Sequence, residues 1–332
     1  MSGSAASTRP GRDGPRAGEM TPAPFLADIA NAPEEARAFW LTTPRGLRLR
    51  MAHLGRGEAG TVLIFPGRTE YAEKYGPAAR VFAEAGFGSV AVDWQGQGLA
   101  DRFLPDTATG HVDRFATYQD DVDAVLAAVT DLGLPGPFYL VGHSMGGCIG
   151  LRALHRGLPV AAAAFSAPMW GIGMPPHLRP AAWLISGAGG ALGFGGRYAP
   201  GTSPESFLAN VPYEGNTLTS DREQLSWLQS HLTAHPELSL GGPSLTWLLE
   251  ALREMRALRR LAPPRLPCLT WVGSNERIVD PAAIRETMAR WPGGRLHVAP
   301  GGEHELMMER PEIRDAFFED IIDHFSRHRP AD

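Results

Sequence analysis

Tyr139-Leu140-Val141-Gly142-His143-Ser144-Met145-Gly146-Gly147 is the stretch of this chain that decides the fold. The apolar run before the first glycine is typical of a buried strand. The small residues from Cys148 to Leu154 continue the stretch as a helix. A strand, a tight turn and a helix are the context in which a G-x-S-x-G sequence presents a nucleophilic serine. A glycine-rich loop with an incidental serine is the alternative.

Each small residue of this turn has a physical role in that interpretation. Gly142 and Gly146 permit a sharp turn and allow the strand and the helix to pack closely. We expect Ser144 Oγ to stand clear at the carboxyl end of the sheet. The Met145 N–H would open the helix as a donor for an anion.

Buried strands and helices alternate along the chain. Predicted strands occur at Thr61–Phe65, which is a continuous apolar run, and at Gly88–Asp93, Val160–Phe165, Cys268–Val272 and Arg295–Val298. Such alternation requires parallel strands joined by crossover helices, so we predict an α/β fold with a doubly wound, mostly parallel sheet. Apolar and basic residues alternate from Leu47 to Ala52, which predicts a half-exposed edge strand.

Composition divides the chain into three regions. Residues 1–22 are rich in Gly, Ser, Pro and Arg without an apolar stretch, which predicts a disordered tail and not a secretory signal. Residues 23–167 and 265–332 carry the alternating strands and form the predicted core. Residues 168–264 are richer in Gly, Pro, Ser and Trp and lack a clear buried strand, so we predict a mainly helical cap inserted over the sheet.

Charge and cysteine usage exclude several classes of protein. The formal charge of −5 and a pI near 6.1 argue against nucleic acid as a partner. The 2 cysteines provide no disulfide framework, which suits a reducing compartment and predicts a cytoplasmic location. No run approaches the roughly 18 apolar residues of a transmembrane helix. Composition leaves the oligomeric state open.

Partners for the serine follow the last two predicted strands. A serine hydroxyl needs a histidine to take its proton and a carboxylate to hold that histidine. His304 lies in the short loop before the closing helix, and two carboxylates, Glu276 and Asp280, follow the preceding strand. Asp280 is also a suitable cap for a helix starting at Pro281. We therefore favour Glu276 as the acid and keep Asp280 as the alternative.

The oxyanion hole needs a second donor beside Met145. Pro66-Gly67-Arg68 follows the strand that supplies it in hydrolases with this turn, so we assign the Arg68 N–H. We expect the Arg68 side chain to face solvent or to pair with Glu70. His304 begins a string that resembles a zinc motif, but position 308 is methionine, so we predict neither a metal nor another cofactor.

The end of the predicted cap carries an apolar stripe at helical spacing. It runs from Leu248 to Leu261, with arginines near its end. Core packing explains such a stripe, and contact with a lipid surface is the alternative. The alternative predicts peripheral contact with the inner membrane surface through the cap.

With these residues in place, the sequence from about Leu47 to Phe325 resembles the α/β-hydrolase superfamily. More narrowly, it is similar to the monoacylglycerol lipase and lysophospholipase L2 group of serine hydrolases. The landmarks are the segments 65–70, 93–98, 142–147, 273–280 and 302–305, with Asn216–Asp221 and the ending EHELMMERPEIRD pointing to the lysophospholipase side. The chain departs from the group twice, since Pro66 replaces a usual histidine and Glu276 replaces a usual aspartate.

The resemblance implies hydrolysis of a carboxylic ester that has a single acyl chain, such as a lysophospholipid or a monoacylglycerol, through an acyl-enzyme. A peptidase or a thioesterase would use the same three residues, and the cap decides among these activities. A hydrolase fold that binds a ligand without catalysis is the alternative from another class. The two departures motivate it.

Overall fold

A twisted sheet of nine strands organises residues 20–330, the part of the chain that the computed structural model describes. The strands are β1 (Thr21–Ala23), β2 (Arg37–Thr42), β3 (Arg48–Glu58), β4 (Thr61–Phe65), β5 (Phe87–Asp93), β6 (Phe138–His143), β7 (Ala162–Ser166), β8 (Cys268–Gly273) and β9 (Arg295–Ala299). The α-helices are α1 (Ala27–Ala30), α2 (Gly76–Glu84), α3 (Tyr118–Asp131), α4 (Met145–His155), α5 (Arg179–Ala191), α6 (Phe207–Asn210), α7 (Arg222–Ala234), α8 (Leu245–Leu258), α9 (Pro281–Ala289) and α10 (Pro311–Arg327).

The order of the strands confirms the predicted fold class. Across the sheet they run β1-β2-β3-β5-β4-β6-β7-β8-β9. The six strands from β5 to β9 in that order pair in parallel, whereas β1, β2 and β3 join at one side through antiparallel pairs. Helices cover both faces, so the central parallel strands are buried on both sides and contain the apolar runs that predicted them.

Strand β3 corrects the prediction of a half-exposed edge strand at Leu47–Ala52. It lies between β2 and β5, and the Arg50 side chain is fully buried. The Arg50 guanidinium donates hydrogen bonds to Asp93 at 2.8 Å and to Glu73 at 2.6 and 2.7 Å. The basic residue that suggested an exposed face belongs to a buried ion cluster, because charge pairing offsets the cost of its burial.

The predicted tail, residues 1–22, overlaps the described chain only at its end. Residues 1–19 lie outside the described residues. Thr21 and Pro22 belong to β1, which pairs with Trp40 and Phe39 of β2. The tail prediction is therefore wrong for these two residues.

The chain between β7 and β8 contains the four helices α5 to α8, joined by loops and turns. Helix α8 packs on the core, because Trp247 Nε1 lies 3.3 Å from Tyr118 Oη and Glu254 pairs with Arg152 of α4. Met255 and Leu258 belong to the main apolar core. The stripe from Leu248 to Leu261 therefore packs mainly as core.

The cysteines and the lengths of the helices can also be compared with the sequence predictions. Cys148 and Cys268 are both buried and free. Between residues 20 and 330, every helix is too short or too polar to cross a bilayer.

Candidate active site

Ser144 lies in the sharp turn between β6 and α4. Its φ of 49° and ψ of −117° are unusual for a residue with a side chain, and strain of this kind is typical of a nucleophile turn. The Ser144 N–H donates to the Ser166 carbonyl at 3.0 Å, which anchors the turn to β7. A Cβ on Gly146 would lie 1.9 Å from the Phe65 carbonyl oxygen. Only glycine permits this close approach of the helix to β4.

The loop after β4 leaves the Arg68 backbone N–H available as a donor. The Gly67 N–H donates to the Glu70 carboxylate, and the Thr69 N–H donates to Gln97 Oε1 at 3.4 Å. Within residues 20–330, the Arg68 N–H between them makes no hydrogen bond. Met145 is the first residue of α4, so its N–H has no acceptor one turn earlier within the helix. These are the two donors that the sequence assigned to an oxyanion hole.

The Arg68 side chain differs from both sequence expectations, since it neither faces solvent nor pairs with Glu70. Its Nη1 donates to the Gly241 carbonyl at 3.0 Å, and its guanidinium lies 5.6 Å from the centre of the Trp247 ring. Burial lowers the pKa of Arg68 to about 10, so the group stays charged at neutral pH. The side chain therefore ties the loop to the segment that follows α7.

The structure brings His304 and Glu276 together. His304 Nδ1 lies 2.7 Å from Glu276 Oε2, and both side chains are almost wholly buried. Glu276 Oε1 accepts hydrogen bonds from the N–H groups of Ile278 at 2.7 Å and Val279 at 3.0 Å. Burial opposes the charge on Glu276, but His304 and these backbone donors outweigh it and lower the pKa of Glu276. A carboxylate can only accept, so His304 Nδ1 carries the proton and Nε2 is left as the basic atom.

Asp280 lies elsewhere. Its Oδ1 accepts the Ala282 N–H at 2.9 Å as the cap of α9, and its Oδ2 pairs with Arg179 at 2.9 Å. The helix start predicted at Pro281 is confirmed. Of the two carboxylates that the sequence left open, only Glu276 contacts His304.

Ser144 and His304 line one cavity of about 730 Å³. Its size lies in the range of ~300–1,000 Å³ that is usual for small-molecule sites. Much of its wall comes from the chain between β7 and β8, which contributes polar residues from Thr202 to Ser206 and the apolar residues Phe207, Leu208, Val211, Pro212, Leu218, Leu228 and Leu240. A chain of methylene groups would lose contact with water along this wall.

The segment Asn216–Asp221 braces the loop that carries the histidine. Glu305 N–H donates to the Leu218 carbonyl at 2.7 Å, and Thr219 Oγ1 donates to the Met308 carbonyl at 2.6 Å. Sequence reasoning noted this segment only as part of the resemblance and missed its contact with the loop. Residues so far apart along the chain give no local signal of contact.

A buried charge cluster of Glu70, Lys74, His143 and Glu305 lies beneath the site, and sequence reasoning missed it too. The one signal was the spacing of Glu70 and Lys74, which suits an ion pair on a helical turn. Ligand atoms of Glu70, His143 and Glu305 lie within 4.8 Å of one another, as metal ligands would. The Lys74 ammonium lies 2.7 Å from both carboxylates, so a cation already bridges them.

Comparison with known sequences identifies relatives over most of the chain. The family described as "Serine aminopeptidase, S33" matches residues 57–311. Lysophospholipase L2 of Escherichia coli strain K12 is 32% identical over 296 residues, which cover 86% of this chain and 84% of that protein. The probable lysophospholipase L2 of Haemophilus influenzae is 28% identical over 294 residues, covering 87% and 92%.

Solved structures confirm the fold. A soluble variant of monoglyceride lipase from Saccharomyces cerevisiae, in complex with a substrate analogue, superposes with a TM-score of 0.69 at 19% identity and covers 93% of this chain and 100% of its own. Monoacylglycerol lipase of Paleococcus ferrophilus gives a TM-score of 0.63 at 21% identity, with coverage of 84% and 99%. At these identities the likeness shows the α/β-hydrolase fold.

Proposed function

The chain belongs to the family described as "Serine aminopeptidase, S33", and from that premise we propose that it is a serine hydrolase of single-chain lipid esters. The observation that carries the proposal is the pairing of His304 with Glu276, since His304 and Ser144 line the same largely apolar cavity. The names of its relatives, lysophospholipase L2 among them, support a lysophospholipid as the substrate, and a monoacylglycerol has an ester with the same single acyl chain.

In the proposed reaction, Ser144 Oγ attacks the ester carbonyl while His304 Nε2 takes its proton. The Arg68 and Met145 N–H groups hold the oxyanion of the tetrahedral intermediate. His304 then protonates the leaving alcohol, and the acyl-enzyme is released by water with His304 again as the base. Glu276 keeps His304 in the required tautomer and stabilises its cationic form.

The apolar part of the cavity wall favours a substrate that has an acyl chain. Phe207, Leu208 and Val211 contribute apolar surface to the cavity that contains the nucleophile. An aminopeptidase, by contrast, needs an acceptor for a substrate ammonium group. Glu70 and Glu305, the carboxylates beside the nucleophile, are already paired with Lys74 and His143, which leaves Glu205 as the other carboxylate of the cavity wall.

Helix α5 is the surface through which we propose contact with a membrane. Its residues after Arg179 include no charged side chain. Leu184, Ile185 and Leu192 are 73%, 43% and 70% exposed. A helix that is apolar on its outer side as well as its inner side is unusual at a water-facing surface. The lipid contact that the sequence suggested for Leu248–Leu261 therefore moves to α5.

Basic groups lie next to this apolar surface. Trp183 of α5 and Arg256, Arg259 and Arg260 at the end of α8 line a second cavity of about 440 Å³. Arginine and tryptophan beside exposed leucines suit the headgroup region of a bilayer with anionic lipids. A cytoplasmic location, at the inner membrane surface, stays a prediction of the sequence.

A substrate panel tests the proposed activity. Wild-type protein and Ser144→Ala are assayed with p-nitrophenyl esters of increasing chain length, lysophosphatidylcholine, a monoacylglycerol and aminoacyl p-nitroanilides. We expect the wild type to hydrolyse the esters and the single-chain lipids, and Ser144→Ala to hydrolyse none. Turnover of the p-nitroanilides in place of the esters would replace the proposal with a peptidase.

A further inference from the structure

His143, the residue directly before the nucleophile, has no contact with solvent and lies between two carboxylates. Its Nε2 is 3.3 Å from Glu70 Oε1 and 3.3 Å from Glu305 Oε2, which are ion-pair distances, although within residues 20–330 this nitrogen makes no hydrogen bond. Its Nδ1 lies 3.1 Å from the Ser166 carbonyl oxygen and 3.2 Å from Ser166 Oγ, and a proton on this nitrogen suits both because the carbonyl can only accept. The His143 ring is therefore contacted by β7 through Ser166 and by the loops that carry Glu70 and Glu305.

Lys74 completes the cluster. Its ammonium donates to Glu70 Oε1 and Glu305 Oε2, each at 2.7 Å, and Tyr75 Oη donates to the Glu70 carboxylate. Two buried carboxylates face two buried basic groups, so the cluster balances only when both basic groups are protonated. Removing one charge would leave its partner buried and uncompensated.

The charge state of His143 follows from these neighbours. Burial opposes its charge, but Glu305 and Glu70 outweigh burial and raise the pKa of His143 to about 10. His143 is therefore an imidazolium at neutral pH. The ring of His304 also faces it, with centroids 4.8 Å apart.

Three members of the cluster belong to, or adjoin, three different parts of the proposed catalytic machinery. Glu70 accepts the Gly67 N–H and so holds the loop that presents the Arg68 N–H. Glu305 directly follows His304, and His143 directly precedes Ser144. The cluster therefore joins the oxyanion loop, the nucleophile turn and the histidine loop through charged contacts that are shielded from solvent.

We propose that His143 and Lys74 are positioning residues. Their charges keep the oxyanion loop and the histidine loop at the positions relative to Ser144 that catalysis needs. This inference rests on the proposed function of the same site. Lys74 lines the cavity with a side chain that is 5% exposed, and the His143 side chain has no exposed surface. Each acts through the carboxylates of Glu70 and Glu305.

Lys74 variants test the role of charge. In Lys74→Met the packing volume is nearly kept and the charge is lost, while Lys74→Arg keeps the charge. With p-nitrophenyl butyrate, we expect Lys74→Met to lower kcat at least tenfold with KM within about twofold, because misplaced donors weaken transition-state binding. We expect Lys74→Arg to retain most of kcat. We also expect Glu305→Gln to restore part of the kcat of Lys74→Met, because it removes the uncompensated carboxylate.

Arg152→Met is the matched control, since it breaks a partly buried ion pair with Glu254 at the far end of α4. We expect it to lower Tm and to leave kcat unchanged. A kcat of Lys74→Met that falls no further than that of Arg152→Met would show a structural role only and overturn the proposal. His143→Gln provides a second, independent variant with the same expectation.

Crystal structures of wild type and Lys74→Met separate this inference from the proposed function. We expect the Gly67–Glu70 loop and the His304 ring to be displaced in the variant. Unmoved loops would overturn the inference even if the wild type is an active esterase. An inactive wild type whose loops move in Lys74→Met would overturn the proposed function and leave the positioning role standing.

Discussion

The Glu276 carboxylate lies 2.7 Å from His304 Nδ1, although glutamate is one methylene longer than the aspartate expected from the resemblance. The backbone N–H groups of Ile278 and Val279 donate hydrogen bonds to its other oxygen. The chain after β8 therefore folds back onto the Glu276 carboxylate. The longer side chain therefore reaches the histidine without leaving its own loop.

Replacement of Glu276 by glutamine tests its role as the acid. The amide cannot hold His304 in the required tautomer, so we expect kcat to fall by roughly 10³–10⁴-fold. Asp280→Asn is the matched control, because it removes the same charge and asparagine caps helices nearly as well. We expect it to keep kcat within about twofold. The reverse result, with Asp280→Asn inactive and Glu276→Gln active, would transfer the role to Asp280.

Gly146→Ala tests the close approach of α4 to β4. The added methyl would meet the Phe65 carbonyl at 1.9 Å, so the helix or the oxyanion loop has to move. We expect the free energy of unfolding to fall by ~1–3 kcal/mol and kcat to fall with it. Gly190→Ala in α5 meets nothing within 4 Å. This control should be neutral or stabilising by up to ~1 kcal/mol in urea denaturation, and equal destabilisation by both variants would contradict the account.

The raised pKa of His143 predicts a pH dependence of stability. The folded pKa of about 10 exceeds the ordinary value of 6.5, so folding binds a proton more tightly. The stabilisation is complete below about pH 6.5 and is lost as the pH rises through about 10. Glu70, Lys74, Tyr75, Ser166, Glu305 and His304 surround the ring.

His143→Gln removes that proton site and serves as the reference in thermal melts. We expect the Tm of the wild type to exceed that of the variant most near pH 6, with the difference shrinking as the pH approaches about 10. Glu305 acts in the opposite sense, because Lys74 and His143 outweigh its burial and hold its pKa well below 4.5. Its stabilisation is lost in acid. A Tm difference that stays constant from about pH 6 to about pH 10 would contradict a protonated His143.

The outer surface of α5 predicts binding to anionic vesicles. The double variant Leu184→Ser with Leu192→Ser removes apolar area that is 73% and 70% exposed. We expect its affinity for vesicles to fall at least about tenfold in a sedimentation assay, because the loss of apolar burial weakens insertion. Val298→Ser, at a residue of β9 that is 37% exposed, is the control and should bind as the wild type does. Equal binding by all three proteins would exclude α5 as the contact surface.

Local signals predicted much of the fold. The apolar run Thr61–Phe65 became β4 with the predicted bounds, and the Asp280–Pro281 pair did begin a helix. Periodicity and capping depend on neighbours within a few residues, so the sequence shows them directly.

Local signals do not predict contacts between residues that are far apart in the sequence. Lys74 and Glu305 lie 231 residues apart, and Arg50 and Asp93 lie 43 apart. A basic residue that alternates with apolar ones suggests exposure unless its distant partner is known, which is why β3 was assigned to an edge. Chain order alone also left Glu276 and Asp280 as alternatives, since both follow β8.

Covalent labelling of Ser144 tests the central claim most directly. The folded protein is treated with a fluorophosphonate and analysed by intact mass and peptide mapping, with Ser144→Ala alongside. We predict that the wild type gains one phosphonyl group on Ser144 and loses ester turnover in parallel, while Ser144→Ala gains none. A wild type that hydrolyses esters without labelling at Ser144, or a Ser144→Ala variant that retains turnover, would contradict the account.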